Sequence, residues 1–311
     1  MDYFQVTLLY VTFILTAFSV IGNDVIQTLG TFISSNKRVG WPIQLLFIGG
    51  ILTTVLLLGW YTNNGDLTYG RLSNIEAPTN LSWWILIPPI ILIILTRFGI
   101  PVSTTFLVLS SFSPVVLINK VLLKSLLGYS IAFVCAFLLF YFLAEKIKPR
   151  NKNSKVWMIS QWLTTGTLWT IWLVQDLANV FVYFPRQIDL QQTFILLTIL
   201  LLITGLTLSR KGGKIQKVVD EKSKTHSLFN ATIIDAIYAI VLLVFTFTSK
   251  IPMSTTWVFI GILAGRELGM QLNRHKTLDK ESKKMVIRDL RKVSIGLIIS
   301  LACAFLIQLL K

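Results

Sequence analysis

Two short polar clusters interrupt the apolar sequence, and each combines one carboxylate with side-chain amides. They consist of Asn23, Asp24 and Gln27, and of Gln175, Asp176 and Asn179. In each cluster an amide follows the aspartate by three residues, so both side chains lie on one face of a helix. Such oxygen donors bind Na⁺ or a proton, and the amide nitrogens can donate to an oxyanion. An ionised carboxylate in a membrane segment costs roughly 2.5 kcal/mol or more, so each aspartate requires a partner or a wet cavity, unless it only caps a broken helix.

A second polar pattern also occurs twice, as GIPVSTTF at residues 99–106 and as KIPMSTTW at residues 250–257. Proline suits the first turn of a helix, so Pro101 and Pro252 are predicted to open helices whose first turns carry the hydroxyls. The hydroxyls belong to Ser103, Thr104, Thr105, Ser254, Thr255 and Thr256. With free backbone N–H groups and the helix dipole, they form an anion site that needs no basic side chain. Alternatively, they cap the helix or bond to an earlier carbonyl.

The two patterns recur at nearly the same spacing. Asp24 and Asp176 are 152 residues apart, and Ser103 and Ser254 are 151 residues apart. This matched offset indicates two copies of one unit. We predict a first repeat at residues 1–145, a cytoplasmic linker at residues 146–156 and a second repeat at residues 157–311.

Composition places both units in a membrane. The 311-residue chain is 54% hydrophobic and 14% charged, whereas ordinary soluble domains are about 25% charged. Each unit contains about five segments, and an odd number of crossings inverts the second copy. The predicted fold is an all-α integral membrane protein of about ten membrane segments in two inverted-topology repeats, with broken or half helices carrying the site.

The net charge of +15 would suggest a nucleic-acid partner in a soluble chain, but the basic residues are concentrated in a few loops. These clusters lie at residues 37–38, 146–155, 210–224 and 273–292. Placing them in the cytoplasm satisfies the positive-inside rule, with both termini outside. We therefore expect the lipid bilayer, and no nucleic acid, as a partner, and the plasma (inner) membrane as the location. The start of the chain has no cleavable signal pattern.

Few other residues are expected to carry chemistry. Cys135 and Cys303 have no spacing partner for a metal, and His226 and His275 lie in basic loops, so no cofactor and no metal beyond Na⁺ is predicted. Asp235 has no counterpart in the first copy and is either a proton-coupling or a buried hydrogen-bonding residue. The basic residues at segment ends are expected to snorkel or to pair; they include Arg97, Arg186, Lys250 and Arg266.

At these motifs the sequence resembles the inorganic phosphate transporter (PiT) family. The first family motif is matched by Gly22, Asn23, Asp24, Val25, Gly30 and Thr31, with Gln27 where the family has Asn. The second is matched by Gly99 and by Pro101 to Thr105, with Phe106 replacing a His. In the second half, Asp176, Ala178 and Asn179 match, and Gln175 replaces Asn. There Pro252 and Ser254 to Thr256 also match, and Trp257 replaces the His.

The resemblance implies a secondary transporter that binds phosphate between the two aspartate clusters and the two Ser-Thr-Thr motifs. Its implied substrate-binding residues are Asp24, Gln27, Ser103, Thr104, Thr105, Asp176, Asn179, Ser254, Thr255 and Thr256. The coupling ion, Na⁺ or H⁺, would bind at Asn23, Asp24, Gln175, Asp176 and Asn179. Sulfate or another oxyanion is the alternative substrate, because some relatives carry sulfate, and a homodimer is an open alternative to a monomer.

A different class of protein, an intramembrane aspartyl hydrolase, could use Asp24 and Asp176 as a dyad that shares a proton. Such a dyad would not require paired Ser-Thr-Thr motifs, and a Gly-x-Gly-Asp sequence is absent. An ion-conducting or scaffolding protein would not explain why anion-type and cation-type motifs recur together. Transport is therefore the favoured function, and the protein is not expected to be an enzyme.

Overall fold

The protein is described here by a computed structural model that covers residues 3–78, 81–100, 102–143, 155–223, 227–275 and 280–310. Within these ranges the regular structure is helical, without β-strands. This confirms the predicted all-α class. Most of the predicted linker at residues 146–156, as well as Pro101 and His226, lies outside the described residues.

The first part of the chain forms helices of very unequal length. In order they are α1 (Tyr3–Val20), a π-helical stretch (Ile21–Val25), α2 (Ile26–Ser35), α3 (Trp41–Thr62), a 3-10 turn (Trp83–Leu86), α4 (Ile87–Arg97), α5 (Thr104–Leu107), a second 3-10 turn (Leu109–Ser111) and α6 (Val115–Leu143). The first helix is thus interrupted at the Asn23-Asp24 pair, and the first Ser-Thr-Thr motif opens only one helical turn.

In the second part of the chain the helices are more continuous, and one of them is a short addition between two long ones. It contains α7 (Lys155–Phe181), α8 (Leu190–Ser209), α9 (Gly213–Ser223), α10 (Leu228–Thr248), α11 (Thr255–His275) and α12 (Lys280–Leu310). Here the aspartate lies within the unbroken α7, and the second Ser-Thr-Thr motif opens a helix of 21 residues. The addition is α9, which lies in the basic stretch between α8 and α10.

Six stretches of described helix are long and apolar enough to cross a membrane, by length and composition. They are Tyr3–Ser35, Trp41–Thr62, Val115–Phe142, Leu190–Ser209, Leu228–Thr248 and Val286–Leu310. A shorter apolar stretch covers Trp83–Arg97. The chain is therefore an integral membrane protein, and the number of about ten membrane segments stays a prediction.

Helices α6 and α11 form the most extensive helix pair, and glycines set their separation. An added Cβ atom at Gly265 would lie 2.2 Å from the Phe133 carbonyl oxygen, and one at Gly261 would lie 2.6 Å from the Tyr129 carbonyl oxygen. Gly269 meets the Phe137 carbonyl in the same way, at 2.5 Å. Small residues spaced by four allow helix backbones to approach closely in membranes. This contact fixes the position of α11, which begins at the second Ser-Thr-Thr motif.

The added helix α9 docks on α2. Ile215 and Val219 bury the apolar side of α9, and Gln216 Nε2 donates a hydrogen bond to the Gly30 carbonyl at 2.9 Å. Asp220 accepts a hydrogen bond from Ser34 at 2.5 Å and pairs with Lys37 at 3.2 Å. Partial burial acts to raise the pKa of Asp220, but hydrogen bonds and the Lys37 charge outweigh it, so this pKa lies below its ordinary value. Part of the basic stretch is thus an ordered amphipathic helix.

Candidate functional site

The first carboxylate lies at the interruption between α1 and α2. Asp24 is 3% exposed and accepts hydrogen bonds from the Thr104 hydroxyl and, at 2.8 Å, from Asn23 Nδ2. Asn23 Nδ2 also donates to the Val102 carbonyl at 2.5 Å. Isolated π-helical turns inside α-helices often occur at functional sites. Here the π-helical stretch places Asn23 and Asp24 directly against the first Ser-Thr-Thr segment.

The second carboxylate has an equivalent partner. Asp176 is 1% exposed, and its Oδ2 atom accepts a hydrogen bond from the Thr255 hydroxyl at 2.6 Å. Its Oδ1 atom accepts one from Asn179 Nδ2 at 3.1 Å. In each half, therefore, the first threonine of the Ser-Thr-Thr motif donates to the aspartate of the same half.

The two Ser-Thr-Thr segments contact each other through equivalent hydrogen bonds. The Thr105 hydroxyl donates to the Met253 carbonyl at 3.2 Å, and the Thr256 hydroxyl donates to the Val102 carbonyl at 3.4 Å. Thr256 also donates to Asp24 Oδ1 at 3.2 Å, so a residue of the second half reaches the carboxylate of the first. The motifs that are far apart in sequence thus form one buried centre.

Asn179 joins the two halves at this centre. Its Nδ2 atom is 3.0 Å from the Thr104 hydroxyl and 3.3 Å from the Thr105 hydroxyl, in addition to its bond to Asp176. The equivalent residue of the first half, Gln27, instead donates to Asn23 Oδ1 at 3.0 Å. The predicted site residues therefore meet, but the amide network is not symmetric.

The two serines of the motifs occupy helix N-cap positions. Ser103 Oγ accepts a hydrogen bond from the Phe106 N–H, and Ser254 Oγ accepts one from the Trp257 N–H, each at 3.3 Å. The described helices begin at Thr104 and Thr255, so the prediction that Pro252 opens a helix is wrong. A serine N-cap stabilises the first turn by accepting from a free N–H group, and the proline lies before that cap. The threonines do lie in the first turns, as predicted.

Several buried polar atoms at this centre have no hydrogen-bond partner among the described residues. They are Gln27 Oε1, Asn179 Oδ1 and Gln175 Nε2. Buried polar groups are nearly always paired, and an unpaired one commonly marks the place of a water, an ion or a ligand. The two carbonyl-type oxygens lie next to the two aspartates, where a cation would need ligands.

Aromatic residues complete the centre, and sequence reasoning did not identify them. Trp172 Nε1 donates to the Thr255 hydroxyl at 3.2 Å, and the Tyr238 hydroxyl donates to the Thr255 carbonyl at 2.8 Å. The rings of Phe106 and Trp257 lie 5.3 Å apart, so the two positions where the resemblance implies histidine pack against each other. Trp172 precedes Asp176 by one helical turn, but an aromatic residue in an apolar run gives no signal of such a contact.

Asp235 lies in a separate buried network formed by α2, α7 and α10. It is fully buried and accepts hydrogen bonds from the hydroxyls of Thr31 and Thr165, each at 2.5 Å. Gln161 Nε2 bonds to Thr165, and Asn36 Nδ2 donates to Gln161 Oε1 at 2.6 Å. Asp235 is therefore a hydrogen-bonded residue, and its part in coupling stays a prediction.

The basic residues that the sequence placed at segment ends lie in different surroundings. Arg186 donates to the carbonyls of Ile75 and Phe184 at 2.8 and 2.9 Å, which ties its loop together. Lys250 lies beside Gly70, and Arg97 is exposed. Two other cations, Arg71 and Lys124, are buried near the second half of the site, although their position in the sequence gave no sign of it.

No family model and no curated protein matches the chain. A solved structure described as the sodium-dependent phosphate transporter resembles it in fold, with a TM-score of 0.62 at 15% sequence identity. The superposition covers 99% of this chain and 100% of that protein. At this identity the likeness shows a shared fold and no more.

Proposed function

We propose that the protein is a secondary transporter that moves inorganic phosphate across the membrane together with Na⁺ or H⁺. The observation that carries this proposal is the single buried centre in which both Asp–Thr pairs, Asp24–Thr104 and Asp176–Thr255, meet across the two halves. Cation-type and anion-type groups are adjacent there, as a coupled transporter requires. The fold of the sodium-dependent phosphate transporter supports this class of function.

The coupling cation is proposed to bind at the aspartate–amide clusters. Oxygen ligands there are the carboxylates of Asp24 and Asp176 and the unpaired oxygens of Gln27 and Asn179. The other residues of the proposed ion sites are Asn23 and Gln175. Water is scarce at this depth, so a carboxylate that loses its cation leaves an uncompensated charge in the membrane. Cation release would therefore be linked to movement of the anion.

The anion is proposed to bind where the Ser-Thr-Thr motifs meet. Helix α11 offers free N–H groups and a helix dipole at Thr255, whereas α5 has four residues and contributes little dipole. The proposed donors in the first half are therefore mainly the hydroxyls of Ser103, Thr104 and Thr105. Carboxylates beside the anion favour an oxyanion that can itself donate a hydrogen bond, which phosphate can do at neutral pH and sulfate cannot.

Alternating access is proposed to arise from two inverted repeats, residues 1–145 and 157–311. The packing supports this division, because α11 packs on α6 as α5 packs on α12, and α7 packs on α10 as α1 packs on α4. Such transporters rock one repeat against the other around a central site. A plasma-membrane location with both termini outside belongs to this proposal, as does the option of a homodimer.

Binding measurements on the purified protein test the substrate assignment. Titration with phosphate and with sulfate, each in Na⁺ and in a choline buffer at two pH values, is expected to give tighter binding for phosphate. Affinity should also rise with Na⁺ or with protons. Tighter binding of sulfate would show that sulfate, and not phosphate, is the substrate. Binding of neither anion would contradict the proposed anion site.

Two substitutions at each serine separate an anion contact from a capping role. Ser103→Ala and Ser254→Ala remove a hydroxyl donor, so the anion affinity should fall several-fold, corresponding to about 0.5–1.5 kcal/mol. Glycine is nearly as good an N-cap as serine, so Ser103→Gly and Ser254→Gly retain most of the helix stability. Equal losses of phosphate affinity in the alanine and glycine variants would support the contact. Near-normal phosphate affinity in the glycine variants would show that the serines only cap the helices and do not contact the anion.

Cysteine labelling tests the inverted topology. In a Cys135→Ser background, which removes the exposed cysteine, Asn74→Cys should react with a membrane-impermeant reagent added outside. Lys217→Cys on α9 should react only after the cytoplasmic side is opened. Both positions are exposed, so burial would not prevent labelling. Reaction of both positions from the same side would contradict the inverted arrangement.

A further inference from the structure

Two buried cations lie beside the second half of the site and have no contact ion pair with a described residue. Arg71 is 3% exposed and donates to the Ser249 and Thr246 carbonyls at 2.9 and 3.1 Å. Lys124 is 8% exposed and donates to the Ser249 and Ile251 carbonyls at 3.1 and 2.5 Å. They thus share the Ser249 carbonyl and hold the segment that leads to the second Ser-Thr-Thr motif.

Arg71 is connected to Asp176 by geometry and by charge. The Thr246 carbonyl accepts from Arg71, and the Thr246 hydroxyl donates to Gln175 Oε1 at 3.2 Å. Gln175 directly precedes Asp176, and the charges of Arg71 and Asp176 interact. Around Asp24, the corresponding interactions are hydrogen bonds from threonine hydroxyls.

The surroundings of the two aspartates also differ in their buried polar atoms that lack a hydrogen-bond partner. Beside Asp24 the unpaired atom is the Gln27 oxygen, which can serve as a cation ligand. Asp176 also has an unpaired oxygen beside it, Asn179 Oδ1. On its Arg71 side, however, the unpaired atoms are Gln175 Nε2 and Arg71 Nε, which are donors and cannot bind a cation. A cation near Asp176 therefore meets the fixed charge of Arg71, and no such charge from the described residues acts on Asp24.

We propose that Arg71 is a fixed counter-charge for Asp176, so that only the Asp24 half requires a coupling cation from solution. This inference rests on the proposed transport function and specifies its cation stoichiometry. A buried carboxylate needs a compensating charge, and a guanidinium on the chain provides one that never leaves the site. The transport cycle then carries one cation fewer than the two carboxylates would suggest.

Arg71 keeps its charge under ordinary conditions. Burial lowers the pKa of its guanidinium to about 10, and interaction with Asp176 opposes this shift. Arg71 is therefore protonated at neutral pH. Removing it would leave Asp176 buried without a compensating charge, and a second cation would be drawn into the site.

The test is the number of cations coupled to each phosphate, obtained from equilibrium accumulation of labelled phosphate in proteoliposomes at several imposed Na⁺ or H⁺ gradients. Accumulation at equilibrium does not depend on rate, so slow variants also report it. Arg71→Gln is expected to raise the coupling number by one, and Arg71→Lys, which keeps the charge, is expected to retain the wild-type number. An unchanged number in Arg71→Gln would overturn the proposal.

Lys124→Gln is the matched control. It removes a buried basic side chain that donates to the same Ser249 carbonyl, whereas the basic residue whose charge acts on Asp176 is Arg71, so the coupling number should not change. The same increase in Lys124→Gln as in Arg71→Gln would contradict a specific role for Arg71, because general disturbance of the segment would then explain both.

The double variant Arg71→Gln/Asp176→Asn covers the case in which Arg71→Gln does not fold, because neither buried charge is then left alone. Its rate of uptake should fall, because Asp176 belongs to the site, but the coupling number read from equilibrium accumulation should equal that of the wild-type protein. A decrease by one would mean that Asp176 binds a transported cation in the wild-type protein and would overturn the proposal. If the wild-type protein shows no cation-coupled uptake at all, the proposed function fails first, and this result is distinct from the others.

Discussion

Replacing Asp24 by asparagine is expected to abolish cation-driven phosphate uptake while the protein stays folded in the membrane. The amide keeps the shape of the carboxylate. Its one oxygen can still accept from Thr256, and its NH2 group can donate to the Thr104 hydroxyl, but the charge proposed to hold the coupling cation is lost. It also lowers the cost of placing this segment in the membrane. Uptake of labelled phosphate under a Na⁺ or pH gradient should therefore fall to the level of empty liposomes, with normal yield of purified protein.

Asp220→Asn provides the matched control, because it makes the same chemical change at a partly exposed carboxylate on α9. Surface ion pairs contribute about 0–1 kcal/mol, so its uptake should stay close to that of the wild-type protein. If the Asp24→Asn variant still coupled phosphate uptake to the cation gradient as the wild-type protein does, Asp24 would not be a ligand of the coupling cation. A large loss in both variants would show that the assay responds to any lost carboxylate.

The second large effect is expected for Gly265→Ala on α11. The new Cβ atom would lie 2.2 Å from the Phe133 carbonyl oxygen and 3.0 Å from the Phe137 nitrogen, and both are backbone atoms that cannot move aside. Forced separation of packed elements typically costs about 1–3 kcal/mol and can cost more. The variant should lose thermal stability in detergent, and displacement of α11 should also weaken phosphate binding at Thr255.

Gly50→Ala is the control for this effect, since an added Cβ atom at Gly50 meets nothing within 4 Å. It makes the same substitution within α3 and should leave the melting temperature almost unchanged. A wild-type melting temperature in Gly265→Ala would show that α6 and α11 are not held together by this close approach.

The sequence predicted the centre of the site because its motifs come in matched pairs. The spacing of Asp24 to Thr104 is nearly that of Asp176 to Thr255, and each threonine donates to the aspartate of its own half. Composition likewise predicted the all-α membrane fold, because long apolar runs in a bilayer must satisfy their backbone groups within helices. Both features depend on local sequence, so no knowledge of tertiary packing was needed.

Other features depend on packing between distant segments and could not be predicted. Arg71 and Lys124 look like ordinary loop and helix cations in sequence, and only the approach of the segment at Ser249 buries them. The bridging role of Asn179 also arises only when the two halves meet. The short α5 is a similar case, because the first Ser-Thr-Thr motif is as good a helix start as the second.

Uptake of labelled phosphate and sulfate into proteoliposomes tests the central claim most directly. Each anion is supplied with an inward Na⁺ gradient, with an inward proton gradient, or with neither. We predict that phosphate accumulates above its equilibrium concentration only when a cation gradient is present, and that sulfate accumulates less. Absence of gradient-driven uptake of any oxyanion, with cleavage of a membrane peptide by the same preparation, would contradict a transporter and favour an aspartyl hydrolase.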